Sequence, residues 1–538
     1  MWPIPALRSR LATTVVEGRP IPSRVSAGEG VAGARSVMAG GSFRAAVAEH
    51  RRRVKRSASV GGWTAGATGR LSADQPSSPM PVESYIRSQL GTLRARSRHA
   101  GMNHPHGRRY LSMQELHVVG PRGIRLQCRA KGRDGELDTA LNAAVEEAFT
   151  EWGRPENCDV EGLRSWRDIQ AAFIRSVAED GEFLARKWRG SRFGPFGYQL
   201  QLLDPELLDR RYNVDLPTGR VRMGVEYNEF GRPIAYHLVQ APAMIGGAMA
   251  LPYGYPGGPH VRVPASQVIH RFLPERVGQR RGIPHMATVL QRMAMFDGME
   301  VAALVAARQG AARPAFVVEG DTQTTATGAE SDEGTEREWE VTPGILQTLE
   351  EGSQVQTVDW PYPSDVYGPF QKAMALSMAT GLLCSYAGLT GDLQGTSYSS
   401  IRSGRLDELD VFRMLQIWES EALNAGVFRD WAEIAVLAGM VELAPGLPVS
   451  MDRLTAIERG ATWRPRRWEW IDPLKDAQAW ALAIKHGWTS VSAVIRERGD
   501  DPDEVLEELK SDFQRLGIDL SAALAAVYTG AKTGGRAA

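Results

Sequence analysis

The sequence predicts an α+β fold organised around long helices, and three observations carry that prediction. Apolar residues recur at helical spacing in several separated stretches, short alternating or apolar runs cluster between them, and those runs follow one another without the helices that βαβ units need. The composition is that of an ordinary globular protein, with 43% hydrophobic and 23% charged residues and 56 Gly and 31 Pro in 538 residues. That is ample for a buried core and, at about 150 residues per domain, for roughly three or four domains or fewer with long insertions.

Residues 1 to about 80 are rich in Gly, Ser, Ala and Arg, with too little periodic hydrophobicity for a packed domain, and read as a mobile basic arm. The first hundred residues carry 16 Lys and Arg against 5 Asp and Glu, most densely from His50 to Arg56, a run that reads as a solvated tail ahead of a nucleic-acid contact. From about 81 the pattern tightens. Val82 to Leu93, Glu136 to Trp152 and Leu163 to Ala178 have helical periodicity, the second with Leu137, Leu141, Val145 and Ala148 on one face. The period then shortens. Glu182 to Trp188, Tyr198 to Leu203, Val221 to Tyr227 and Pro233 to Val239 read as strands, with Asn228 to Gly231 as a hairpin loop.

A long helix follows Pro284, where Met286, Val289, Leu290, Met293, Val301 and Leu304 keep helical spacing over about 26 residues, nearly 40 Å at about 1.5 Å per residue. Residues 319–361 hold 11 Asp and Glu against one Arg in Thr- and Gly-rich sequence and read as an exposed insert. Another long helix spans Tyr398 to Leu423, with Val411, Leu415, Trp418 and Ala422 on one stripe. Short helices close the chain. Asp472-Pro473 and Asp501-Pro502 each place an N-cap carboxylate before a proline at the first helical position, Gly487, Gly499 and Gly517 suit helix ends, and the last dozen residues read as frayed.

Lys and Arg total 63 and Asp and Glu total 63, so the formal net charge is zero, which argues against coating of nucleic acid by bulk charge. Only eight of the basic residues are Lys, a skew that fits GC-rich coding rather than chemistry. Cys128, Cys158 and Cys384 stand far apart without Cys-x-x-Cys spacing, which speaks against a disulfide framework or a zinc knuckle and for a reducing compartment. The longest uncharged run, about 238–259, is interrupted by prolines, so no membrane span is expected, and the N-terminus lacks the apolar segment of a secretory signal.

Catalytic signatures do not emerge. Gly28-Glu29-Gly30-Val31-Ala32-Gly33 has the letters of a dinucleotide fingerprint, but no strand leads into it; Gly-Lys-Ser/Thr, Gly-x-Ser-x-Gly and Ser-x-x-Lys do not occur. His104-Pro105-His106 lacks further ligands and reads as an exposed loop, His237 and His270 as hydrogen-bonded core histidines, and Asp407, Glu408 and Asp410 as a solvated helix face. No metal, cofactor or enzymatic activity is expected. Weight moves to binding, structure or assembly.

The order of several segments resembles the portal proteins of tailed bacteriophages, and more narrowly the lambda-type portal family. Arg94-Ala95-Arg96-Ser97-Arg98, Asn103-His104-Pro105 and Val118 through Gln127 are similar to the family's N-terminal signature, and Gln201 to Asp204, Gly224 to Tyr227 and Gly231 to His237 to its central strands. Val268-Ile269-His270 with Gln279 through Pro284 continues the likeness. Further on, Gly381 to Leu383, Leu389 to Asp392 and Ser397-Tyr398-Ser399-Ser400-Ile401-Arg402 resemble the most diagnostic segment, and Trp468 to Pro473 with Lys475-Asp476-Ala477 a later one. The likeness covers about residues 41 to 515.

The resemblance implies a portal fold: an α/β wing over 81–284, a stem helix over 285–310, a small α/β clip with the acidic insert over 311–365, and a second stem helix over 366–387. A channel loop over 388–397 would follow, then a long helix and wing remainder over 398–470, an α-helical crown over 471–520 and a tail over 521–538. The loop residues are Gly388, Thr390, Gly391, Asp392, Gln394, Gly395, Thr396 and Ser397, followed by the motif residues Tyr398, Ser399, Ser400 and Arg402. It further implies a ring, twelve-fold in the capsid, at one head vertex of the virion, assembled in the bacterial host cytoplasm. Double-stranded DNA would pass through the ring without its sequence being read. The implied partners are further copies of the chain, the terminase large subunit, the major capsid or scaffold protein and a head-completion or neck protein, with no membrane. The loop is small, polar and almost free of positive charge, as a passage for moving DNA requires, because each tight Lys or Arg contact to phosphate acts as a brake. The alternatives are another ring-forming head-tail adaptor or neck protein, which would lack this helix-loop-helix order, and an enzyme with an unrecognised site.

Overall fold

The computed structural model describes residues 80–217, 219–239, 260–312, 315–318, 354–357, 367–394, 398–468, 473–498 and 502–517. The arm with its Gly28–Gly33 pattern and the His50–Arg56 run, most of the acidic insert, Gly395, Thr396, Ser397, Asp472, Asp501, Gly499 and the C-terminal tail lie outside the described residues.

Helix α1 (Val82–Asn103) and helix α2 (Pro105–Gln114), the latter continued by a π turn at Glu115–Val119, lead to strand β1 (Arg125–Cys128). Helices α3 (Thr139–Trp152), α4 (Pro155–Cys158) and α5 (Trp166–Asp180) come next. They precede strands β2 (Glu182–Arg189), β3 (Tyr198–Leu203), β4 (Val214–Leu216), β5 (Gly219–Arg222), β6 (Val225–Tyr227), β7 (Pro233–Val239), β8 (His260–Pro264) and β9 (Val268–Phe272). Helix α6 (Leu290–Ala312) runs into β10 (Ala315–Val318), whose antiparallel partner β11 (Gln354–Thr357) returns from the insert and precedes α7 (Tyr367–Gly381). After α8 (Tyr386–Thr390), helix α9 (Tyr398–Glu419) passes through a π turn, Ser420–Asn424, directly into α10 (Ala425–Leu437). Strands β12 (Glu442–Ala444) and β13 (Leu447–Pro448), helix α11 (Leu454–Gly460), strand β14 (Ala461–Arg464) and helices α12 (Pro473–Lys485), α13 (Val491–Arg498) and α14 (Pro502–Arg515) complete the described chain.

The mixed helix-and-sheet class is as the periodicity predicts, and local chemistry sets many boundaries. Asp138 accepts from the Leu141 amide at 3.1 Å to start α3, and Ser165 and Asp168 form a reciprocal capping box at α5. Pro473 and Pro502 stand at the first position of their helices, and Gly487 and Gly517 follow the ends of α12 and α14. At Asn228, the side-chain oxygen accepts from the Phe230 and Arg232 amides and closes the expected hairpin.

Two expectations change. Helix α1 runs ten residues beyond Leu93, because Arg94 and Ser97, polar by sequence, continue its buried face. The strand expected from Val221 to Tyr227 breaks at Met223 and Gly224, both at positive φ, where Asn213 accepts from the Met223 amide and the Met223 carbonyl accepts from Arg281.

The sheets are antiparallel: three strands in the order β3-β2-β9 and five in the meander β4 to β8. The main core packs α3, α5 and α10 together through Phe149, Trp152, Trp166, Phe173, Phe428 and Trp431. Phe149 meets Trp431 edge-on with ring centres 4.9 Å apart, and the Trp152 indole donates to the Tyr198 carbonyl at 2.8 Å. Each such fully buried ring contributes about 1.5–3 kcal/mol. Far-apart stretches also close on one another. Strand β1 pairs with β14, and Gln416 on α9 donates to the carbonyls of His117, Val118 and Arg466.

Candidate functional site

Helix α7 ends in a tight turn at Leu383, whose φ is 55°. Ser385 then caps α8: its hydroxyl accepts from the Gly388 amide at 3.0 Å, while its own amide and hydroxyl donate to Glu408 on α9 at 3.2 and 3.1 Å. Glu408 is buried, so it is not the solvated carboxylate expected on that face. Asp410 keeps a place in solvent beside Arg413. Gly388 lets the two helices touch, since a Cβ there would stand 2.5 Å from the nearer Glu408 oxygen. The Gly388 carbonyl accepts from Arg109 at 3.1 Å.

The structure therefore corrects the N-terminal boundary of the loop. Gly388 and Thr390 belong to α8, and the irregular segment starts at Gly391. Beyond it, the Asp392 carboxylate accepts from the Tyr386 hydroxyl at 3.0 Å and from the Gln394 amide at 2.9 Å, and the Asp392 amide donates to the Thr390 hydroxyl. The Gln394 amide and then the Tyr386 hydroxyl hold the Asp392 carboxyl below its usual range, with a smaller contribution from Lys372. Lys372 also lies over the Tyr386 ring at 5.5 Å. The loop itself is poor in positive charge, but its base is not: Arg109 and Lys372 both stand there. Tyr398, Ser399, Ser400 and Arg402 fall within α9. Gly395, Thr396 and Ser397 lie outside the described residues.

A second constellation joins the segments around Arg94, Glu182, His270 and Arg281. Glu182, fully buried at the start of β2, accepts from Arg94 at 2.5 Å, from Arg281 at 2.5 to 3.0 Å and from the Gly282 amide at 3.0 Å, with His270 Nε2 at 3.1 Å. Burial pushes its carboxyl up, but Arg281, Arg94 and His270 together outweigh that and hold it well below the usual range. Gly282 crosses Gly181 so closely that a Cβ would lie 1.8 Å from the Gly181 carbonyl oxygen. This is a satisfied structural knot and offers no open face for chemistry. His237 is likewise buried against Glu226 at 3.0 Å, as expected of a core histidine.

His104 corrects another expectation. It is buried rather than in an exposed loop, and its Nδ1 caps α2 by accepting from the His106 amide at 3.1 Å. Among the described residues no His, Cys, Asp and Glu side chains group as metal ligands, and no helix is long and apolar enough to cross a membrane. Burial pushes the thiols of Cys128, Cys158 and Cys384 up to about 11, 12 and 12, so they are poor nucleophiles. Sequence reading missed Ser385, Tyr386 and Arg109 and placed Glu408 on a solvated face. Of these, only the serine one residue before a helix carried a local signal.

The model of the phage portal protein, lambda family, matches residues 68–416. A probable portal protein of Halomonas phage phiHAP-1 is 34% identical over 79% of this chain and 81% of its own length. The portal protein of Escherichia phage N15 is 22% identical over 76% and 82%, and portal protein B of Escherichia phage lambda 23% identical over 85% and 90%. Among solved structures, a chain in the neck of an empty GTA particle covers 80% of this chain and 97% of its own length at 15% identity, with a TM-score of 0.42. A chain in the neck of a native GTA particle covers 81% and 99% at 14% identity, with a TM-score of 0.39. The chain belongs to the phage portal proteins, and among them to the lambda family. That family is a structural, virion-borne one.

Proposed function

We propose that the chain is a non-enzymatic subunit of a ring, twelve-fold in the capsid, at the unique head vertex. The ring provides the channel for DNA packaging and ejection and docks first the terminase large subunit and then a head-completion or neck protein. Its ordinary place is the virion, after assembly in the bacterial host cytoplasm with capsid or scaffold protein. On this reading α6 and α7 are the stem helices, β10 and β11 the root of the clip, and the segment from Gly391 to Ser397 the channel loop. The long helix α9 stands behind that loop, and α12 to α14 form the crown.

The observation that carries the reading is α6. Its Leu290, Met293, Phe296 and Ala303 are buried, yet Met295, Val301, Leu304 and Val305 on its other sides are exposed, with Val301 and Leu304 at 60% and 64%. Apolar side chains left exposed on a second side of a helix favour a second cover, and a ring of copies supplies one by setting the same face against the neighbouring subunit. Phe370 and Leu376 on α7 and Met414 and Ile417 on α9 are exposed as well. Electron microscopy of the purified protein tests this: rings with a central hole are expected, and a stable monomer under all assembly conditions overturns it.

A further inference from the structure

From Phe183 to Leu203, strands β2 and β3 and the turn that joins them carry Arg186, Lys187, Arg189 and Arg192 and no Asp or Glu. Side chains alternate between the faces of β2, so Lys187 and Arg189 share one face and Arg186 and Trp188 the other. The first pair is compensated from outside the hairpin: Asp430 on α10 meets Lys187 at 2.6 Å and Arg189 at 2.9 Å. The second face is arranged differently. The Arg186 guanidinium lies over the Trp188 ring, 4.0 Å from its centre, Phe193 stacks on Trp188 with ring centres 5.1 Å apart, and the Arg192 guanidinium lies over Phe193 at 4.9 Å. The Trp188 indole is fixed by donating to the Gln201 side chain on β3 at 3.0 Å. Phe193 is held by the turn, where the Gly190 amide donates to the Gly197 carbonyl at 2.9 Å and the Phe193 amide to the Gly190 carbonyl at 3.0 Å. Neither Arg186 nor Arg192 has a carboxylate partner among the described residues, and the buried Nε of Arg186 has no acceptor there.

We propose that this ladder of Arg186, Trp188, Phe193 and Arg192 at the β2–β3 hairpin is a docking surface for an acidic peptide segment of another protein. A guanidinium held over an aromatic ring keeps terminal N–H donors for a carboxylate at its edge, and its planar fork matches the two carboxylate oxygens. Stacking also fixes the long side chain before a ligand arrives, so binding loses little rotamer freedom. The charge suits such a partner, because two cations without a carboxylate stand on a stretch that has none of its own. Nucleic acid fits less well. Single-stranded bases need an open ring face, and each ring here already carries a stacked ring and a guanidinium. A duplex is held by a longer run of phosphate contacts than two arginines offer. The inference stands on the hairpin and does not use the portal reading.

The test is hydrogen exchange of the full-length protein, read by mass spectrometry on the peptide that spans the hairpin, with decaglutamate as the probe. Reading one peptide keeps the result separate from binding elsewhere on the chain. Decaglutamate should slow exchange there. Arg192→Gln, at an exposed position, should raise the concentration needed by about fivefold, the worth of one favourable exposed ion pair, and leave the thermal midpoint unchanged. Arg192→Lys keeps the charge without the planar fork and should recover only part of that loss. Arg186→Gln combined with Arg192→Gln should abolish protection; if that protein melts early, the single Arg192 variants still decide. No slowing by decaglutamate, or equal slowing in the Arg192→Gln protein, overturns the proposal. Slowing by a mixed-sequence DNA duplex and not by decaglutamate also overturns it and assigns the ladder to nucleic acid. Hairpin amides that are protected in purified rings without any probe, and open in the monomer, overturn it in favour of a contact between copies.

Discussion

Glu182 is the residue on which the most distant segments converge. Its negative charge is shared by two buried guanidiniums from α1 and from the segment before α6, so replacing it leaves Arg281 without its carboxylate and Arg94 with only Glu206, at 3.2 Å. Glu182→Gln should cost about 3–5 kcal/mol of unfolding free energy, read from denaturant melts. The pH dependence has a definite sign. The folded carboxyl titrates well below the ordinary 4.5, so its contribution is complete above that pH and is lost as acid protonates the folded form further down. Glu419 has the opposite sign. It is fully buried on α9 just before the π turn, neither carboxylate oxygen has a hydrogen-bond partner among the described residues, and burial pushes its carboxyl well above 4.5. The folded chain therefore keeps a proton that the unfolded chain releases, and stability falls as pH rises above 4.5, by about 1.4 kcal/mol per pH unit until the folded group ionises. Glu419→Gln should abolish that fall, so that its thermal midpoint exceeds that of the natural chain at pH 7 by more than at pH 4.5. Equal differences at both pH values would show that Glu419 is charged in the fold. Neither carboxylate could be singled out by spacing, because burial and partners decide which one is ionised.

At the scale of elements, the turn from α7 through α8 to α9 shows how a loop between two long helices can be kept in place. Glu408 holds the N-terminus of α8, Arg109 reaches the Gly388 carbonyl, and Tyr386 grips Asp392 from below. The loop that remains beyond Gly391 is short and its first residues are tethered. If it lines the channel, Asp392→Arg should lower packaged DNA length or packaging rate while rings survive, through new attraction to phosphate. Asp392→Asn, which can still accept from Tyr386, should change packaging much less; equal packaging by all three proteins would remove the loop from the DNA path. The small polar residues here were legible as a connector in the sequence. Their division into a helical turn and a shorter loop was not, because Glu408, which fixes the turn, lies 23 residues from Ser385.

For the whole molecule, the exposed apolar faces of α6, α7 and α9 are the features that a single chain leaves unresolved. Val301→Lys with Leu304→Lys should leave the far-ultraviolet circular dichroism of the subunit unchanged, since both side chains already face outward, and prevent ring formation in mass photometry. Rings of unchanged mass would show that α6 is not a subunit seam. The sequence presented these two residues as part of one stripe with Met286, Val289, Leu290 and Met293, which are 7% exposed or less. Spacing alone does not separate a seam within the subunit from one between subunits, as both select the same apolar side chains.

Periodicity, caps and turn residues act over a few neighbours, and they were enough to establish the mixed class of the fold, the existence and approximate span of its long helices and central strands, and the hairpin at Asn228 to Gly231. Ordered short motifs added the family. Packing between distant segments had to settle the rest: which polar residues are interior, that α1 continues through its arginines, that a strand breaks at Met223, and that β1 meets β14. These depend on desolvation and charge pairing between segments far apart in the chain: Glu182 and Arg281 are 99 residues apart, and Gln127 and Arg464 are 337. The energy of such contacts is set by what surrounds both partners at once, and no local pattern records it.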